Sequence, residues 1–365
     1  MEVTLGSYRS TVRKAILFTG RPFTFESGAT LSPIEVAYET WGELNGDRSN
    51  AVLLVHALTG DSHAASHHPG DREGWFEGVV GEGRGLDPSK FHIVCANWLG
   101  SKYGTTGPTS INPGTGRPFG VGFPAITVGD ISRVMRALCD HLEIPRWNAV
   151  MGGSVGGLIT LDYAARYPSG LEAAVPVACS LASSPWVIAF HGIMRRILSI
   201  GRDSGSDELF RRSLEAARMV GMVTYRSRGE FVKRYQRARA DLQWQDKGCS
   251  YAVESYLQYQ GQKLDQRFDP TSYECLTRAA DSFDLGEVHG GVALAASRIK
   301  ARVLAIGIDS DYLFPLEEQQ EIVSAITAAG GRAELAVIAS EYGHDGFLIE
   351  HNQINRLLRG FLKGA

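Results

Sequence analysis

Apolar residues recur along this chain in two rhythms. Short unbroken runs flanked by turn formers predict buried strands, and apolar positions spaced three and four apart predict amphipathic helices. Buried-strand runs fall at 50–55, 91–97, 171–179, 302–308 and 333–338, and another, Ala149-Val150-Met151, runs into a glycine-rich turn. The stretch near Pro22–Phe25 and that from Gly28 to Glu39 predict short opening strands with a hairpin. From Val128 to Leu142, Ile131, Val134, Met135 and Leu138 share one helical face. Between about 184 and 297 strand signals fade, and Asp207–Val220 and Glu230–Trp244 carry the Arg- and Glu-rich composition of helices. This alternation, interrupted once, predicts an α/β architecture: a mostly parallel central sheet flanked by helices. Residues 1–183 and 298–365 would form that core, and 184–297 an inserted helical lid.

The glycine-rich turn carries the chemistry. Met151-Gly152-Gly153-Ser154-Val155-Gly156-Gly157 contains G-x-S-x-G between a strand run and a helical segment. That is the pattern of a nucleophile elbow, in which a tight strand-to-helix turn lifts a serine hydroxyl off the sheet. A serine so placed serves as a covalent nucleophile when a base and an acid follow in the order Ser, Asp, His. After the strand at 302–308 come Asp309 and Asp311, and after the strand at 333–338 comes Gly343-His344-Asp345-Gly346. Asp309 stands directly at the strand end, where it could cap the next element; Asp311, just before Leu313-Phe314-Pro315, is preferred as the acid. Ser154, Asp311 and His344 thus form the expected triad of an α/β-hydrolase fold. Its oxyanion hole would use the backbone N–H of Val155 and that of Leu58, in the loop His56-Ala57-Leu58-Thr59-Gly60-Asp61 after an early strand. His56 is read as holding the shape of that loop.

Composition narrows the field. The 365 residues carry 37 Lys and Arg against 40 Asp and Glu, a net charge of −3, which argues against nucleic acid or an acidic membrane surface as partner. The opening Met1–Gly6 lacks the basic and apolar regions of a signal peptide, and no apolar run is long enough to span a bilayer. Five scattered cysteines without a C-x-x-C pair suggest reduced thiols in a cytoplasmic protein. His63 and His67 have the spacing of a metal pair, but no third ligand of suitable spacing accompanies them, so a polar loop rather than zinc is expected.

Four stretches point to a family. His56-Ala57-Leu58-Thr59-Gly60-Asp61 is one, and Tyr103-Gly104-Thr105-Thr106-Gly107-Pro108-Thr109-Ser110-Ile111-Asn112-Pro113 is a second, absent from ordinary esterases. Tyr256–Leu264 with Arg267-Phe268-Asp269 is the third, and the acid and base loops around Asp311 and His344 are the fourth. Over nearly its whole length the chain resembles the homoserine O-acetyltransferases. Val155, where the family usually has methionine, and Trp98-Leu99-Gly100-Ser101-Lys102-Tyr103 depart from the common pattern. The resemblance implies ping-pong transfer of an acetyl group from acetyl-CoA as co-substrate to L-homoserine, a step towards methionine, with no bound cofactor and a homodimer formed through the lid. It further implies that Arg218 holds the substrate carboxylate, that Tyr225 lines the same site, and that Asp345 meets the substrate's amino end. On their own, Arg218 would read as a solvated helix arginine and Asp345 as a loop cap. Serine as acceptor, a succinyl donor, or water as acceptor in a carboxylesterase remain the alternatives.

Overall fold

A computed structural model describes residues 12–362, so the opening segment Met1–Gly6 lies outside the described residues. One eight-stranded sheet organises the chain: β1 Arg13–Leu17, β2 Ile34–Trp41, β3 Ala51–Val55, β4 His92–Ala96, β5 Trp147–Gly153, β6 Leu171–Val177, β7 Arg302–Ile308 and β8 Arg332–Ile338. They lie in the order β1-β2-β4-β3-β5-β6-β7-β8. β1 and β2 are antiparallel additions at one edge, and the other six run parallel. All five residues of β3 are buried, as are six of seven in β7, which is why these strands read as unbroken apolar runs. The expected hairpin forms between Phe23–Thr24 and Thr30–Leu31.

Helices cover both faces. On one, α1 (Val128–His141) and α2 (Val155–Arg166) bury Ile131, Val134, Leu138, Leu158 and Ile159. α1 begins in a capping box, the Thr127 hydroxyl accepting from the Asp130 N–H while the Asp130 carboxylate accepts from that of Thr127. On the other face, Ile354, Leu358 and Phe361 from α12 (His351–Phe361) meet Phe76, Val79 and Leu86.

Between β6 and β7 the chain is almost wholly helical. α3 (Pro185–Asp203) and α4 (Asp207–Tyr225) start at Ser184 and Ser206, whose hydroxyls accept the Val187 and Leu209 N–H groups. α5 (Arg228–Tyr235), α6 (Leu242–Gln245), α7 (Ala252–Asp265) and α8 (Pro270–Asp281) follow. α9 (Leu285–His289) and α10 (Val292–Arg298) then pack back onto α2. The expected Glu230–Trp244 helix is broken. Gln236 turns to φ 48°, Arg239 bridges to Tyr251, and the Ala240 N–H bonds to the Ser250 carbonyl, so tertiary pairing overrides a favourable helix composition. α4 instead continues past Val220 to Tyr225, because Met222 and Thr224 are buried there. Among the described residues no helix is long and apolar enough to cross a membrane.

Candidate active site

Because β3, β5, β7 and β8 are parallel, the loops after them meet at one end of the sheet. Ser154 stands between β5 and α2 with φ 59° and ψ −125°, a conformation that is costly for any residue with a Cβ. Its own N–H bonds to the Val177 carbonyl at 2.9 Å, and its carbonyl accepts from Gly157 at 2.8 Å. The flanking glycines have steric causes. A Cβ on Gly152 would sit 2.3 Å from the Gly156 carbonyl oxygen, and one on Gly156 2.5 Å from that of Val55. Strand, turn and helix can therefore approach closely only without side chains at these positions.

After β7, Asp311 is buried, and its Oδ1 accepts the Leu313 and Phe314 N–H groups at 2.8 and 3.0 Å. Its Oδ2 lies 2.6 Å from His344 Nδ1. Asp309 is exposed and instead accepts from the Ser340 N–H, so it caps the turn after β8. The His344 ring is held between Phe314, stacked at 5.3 Å, and Phe347, edge-on at 5.6 Å. Burial lowers the imidazole's pKa, but the Asp311 charge and hydrogen bond outweigh it and leave it above its ordinary value. Among the described residues His344 Nε2 is buried with no hydrogen-bond partner, and His344 lines the same cavity as Ser154. A hydroxyl, an imidazole and a buried carboxylate so arranged can generate an alkoxide-like nucleophile at neutral pH.

That cavity, about 70 Å³, is lined by Leu58, Thr59, Ser154, Arg218, Tyr225, His344 and Asp345, among others. Residues read from β3, β5, β8 and α4 thus converge on one place, with Asp311 directly behind His344 and Val155 beside Ser154. The Arg218 guanidinium lies 5.2 Å from the Tyr225 ring centroid. Asp345 has a neighbour that chain spacing did not reveal: its Oδ2 is 3.0 Å from Arg226 Nε. Burial pushes the Asp345 carboxyl up, opposed by the charges of Arg226 and Arg218. Glu318, on the first turn of α11 (Leu316–Ala328), was also missed. Burial and the Asp311 charge push it up to about 7, so it gains charge near the triad in the neutral range.

The loop that offers Leu58 is braced on several sides. His56 stacks on Trp98 at 4.3 Å and its Nδ1 lies 2.8 Å from the Ala57 carbonyl; burial pushes its pKa down to about 4, keeping the ring neutral. Trp98 is thus the floor of this loop. Arg267 Nη1 donates to the Thr59 carbonyl at 2.5 Å and to the Tyr103 hydroxyl at 3.0 Å, joining three of the stretches that carry the resemblance. Behind the loop, Glu39 from β2 supplies the third group missing from the His63/His67 spacing: the ligand atoms of the three lie within 4.8 Å of one another. Here those atoms bond each other. Glu39 Oε2 is 2.8 Å from His63 Nδ1 and 2.9 Å from His67 Nε2, and Oε1 accepts from Ser62. Burial would raise Glu39, yet these hydrogen bonds bring it down to about 2.

The sheet order and the elbow define an α/β-hydrolase fold, and a family model described as "alpha/beta hydrolase fold" matches residues 50–350. The homoserine O-acetyltransferase of Moorella thermoacetica is 44% identical over 347 residues, spanning 93% of this chain and 92% of that protein. That of Bradyrhizobium diazoefficiens is 41% identical over 355 residues, 94% and 89% of the two chains. The solved structure of homoserine O-acetyltransferase from Bacillus anthracis matches with a TM-score of 0.87 at 25% identity, over 97% of this chain and 98% of that one. Esterase E22 reaches the same TM-score at 24% identity, over 96% and 99%, a likeness of fold alone. Within the α/β-hydrolase fold, the chain belongs to the homoserine O-acetyltransferase family, as its motifs imply.

Proposed function

We propose that this enzyme transfers the acetyl group of acetyl-CoA to the hydroxyl of L-homoserine, through an acetyl-Ser154 intermediate. The observation that carries this is one cavity lined by Ser154, His344, Arg218, Tyr225 and Asp345, with Asp311 bonded to the imidazole at 2.6 Å. His344 Nε2 takes the Ser154 proton as Oγ attacks the thioester carbonyl, and returns it to the departing CoA sulfur. The homoserine hydroxyl then attacks acetyl-Ser154 while His344 takes its proton, and Ser154 Oγ recovers that proton on leaving. Asp311 fixes the tautomer that leaves Nε2 free to accept. The N–H groups of Leu58 and Val155 would stabilise both oxyanions, each worth roughly 2.7–4 kcal/mol. Arg218 would clasp the amino acid's carboxylate, Tyr225 would bound the site, and Asp345 would face the ammonium group while Arg226 holds it in place.

The helices between β6 and β7 serve as the lid, since α4 brings Arg218 and Tyr225 over the elbow. α3 leaves Trp186, Ile193 and Ile200 at least half exposed on one seven-residue repeat. Such a stripe suits a homodimer joined lid to lid; a one-chain mass by sedimentation at micromolar protein would refute it. Five unpaired cysteines accord with a reducing, cytoplasmic setting, which cell fractionation would read directly.

Free thiol release from acetyl-CoA tests the central reading. Release should depend on L-homoserine and exceed that with L-serine or with succinyl-CoA as donor. Equal release with and without any amino acid would make water the acceptor and the protein a hydrolase.

A further inference from the structure

The chain as a whole carries a charge of −3, yet between 226 and 250 seven basic side chains face only three acidic ones. This is the segment where the expected long helix breaks, and the break arranges the cations. Tyr251, brought opposite Arg239 by the bridge between them, takes the Arg239 guanidinium 4.7 Å from its ring centroid and that of Arg237 at 5.5 Å. Arg237 also donates to the Tyr251 hydroxyl at 3.2 Å. Both arginines are exposed, and among the described residues neither has an acidic partner. Beside Arg239 lies an open hollow of about 470 Å³, lined also by Gln245 and Ser250. Cation–π contacts to one rigid ring hold two guanidinium groups ready for an anion and lower the ordering cost of binding it. A planar guanidinium suits phosphate oxygens in particular.

The helix that precedes the patch is tied to the reacting centre. Asp345 pairs with Arg226, Arg226 approaches Glu230 at 3.8 Å, and Glu230 accepts from Arg234 at 3.2 Å. Arg234 in turn lies over Tyr235 and Tyr256, at 5.3 and 5.2 Å. Ion pairs therefore run from the cavity into α5 as far as Arg234, and the arginine pair follows just beyond the end of that helix. The acyl donor of the proposed reaction is a small thioester on a long arm that ends in a multiply phosphorylated nucleotide. We propose that Arg237 and Arg239, held by Tyr251, bind the phosphate groups at the nucleotide end of that donor; this rests on a CoA thioester being the donor.

Two measurements test it. Calorimetry of the intact protein with adenosine 3′,5′-bisphosphate should show saturable binding, weakened roughly 10- to 100-fold in an R237Q/R239Q variant whose circular dichroism matches the parent. Steady-state rates should show that the parent's kcat/KM preference for acetyl-CoA over acetyl-pantetheine, which lacks the nucleotide, falls about tenfold or more in that variant. Inorganic phosphate as a competitor separates recognition of the nucleotide from general anion attraction: displacement by equal concentrations of phosphate would overturn the proposal. So would an absence of bisphosphate binding to the parent, or an unchanged donor preference in the variant. If the bisphosphate binds at these arginines but the parent releases no thiol from acetyl-CoA, the acyl-transfer reading fails and the anion site stands.

Discussion

Replacing Ser154 by alanine is expected to cut thiol release from acetyl-CoA roughly 10⁵–10⁶-fold, with or without amino acid present. Loss of both half-reactions follows because the oxygen removed is the atom that carries the acetyl group between them. The oxyanion donors and the cavity would remain, so some acceleration over water should survive. Stability offers an independent check. Alanine keeps the Cβ that makes φ 59°, ψ −125° costly, whereas Ser154→Gly removes it. The glycine variant should be equally inactive yet more stable to unfolding than the alanine variant, by about 1 kcal/mol or more. Strain at this position is then a cost borne to present the hydroxyl. Turnover within tenfold of the parent in Ser154→Ala would end the assignment of Ser154 as nucleophile, whatever the melting data show.

What could be read from the chain, and what could not, divides by the range of the interaction. Arg302–Ile308 was recognisable as a strand because burial on both faces writes itself into a continuous apolar run. Ser154 was recognisable because a tight turn at positive φ demands glycine neighbours within two residues. The preference for Asp311 over Asp309 rested on a local cue, and the geometry that separates them is a contact across two loops: only Asp311 reaches His344. The Arg226–Asp345 pair joins residues more than a hundred positions apart, and no periodicity encodes it. Glu39 beneath His63 and His67 was hidden for the same reason, since it arrives from a neighbouring strand. The break after Tyr235 depends on the Arg239–Tyr251 bridge, so local propensity pointed the other way.

Arg218→Ala should separate the two halves of the reaction. The guanidinium lines the same cavity as Ser154, positioned over Tyr225, and among the described residues the carboxylate that lines it, Asp345, is ion-paired with Arg226. Arg218 is therefore the group available to an incoming amino-acid carboxylate, and losing a desolvated charge pair of that kind costs roughly 2–5 kcal/mol. We expect kcat/KM for L-homoserine to fall roughly 10²–10³-fold, while the burst of CoA released without acceptor stays within a few-fold of the parent. Arg218→Lys should recover only part of the loss, because an ammonium keeps the charge but not the two-pronged geometry. A burst diminished as much as overall turnover would mean that Arg218 serves the acyl donor or the triad, and the carboxylate role would be wrong. The same variant bears on the choice between transfer and hydrolysis. Water has no carboxylate to hold, so an esterase with this fold would hydrolyse acetyl-Ser154 equally well without Arg218. Only an amino-acid acceptor makes this arginine decisive in the second step and dispensable in the first.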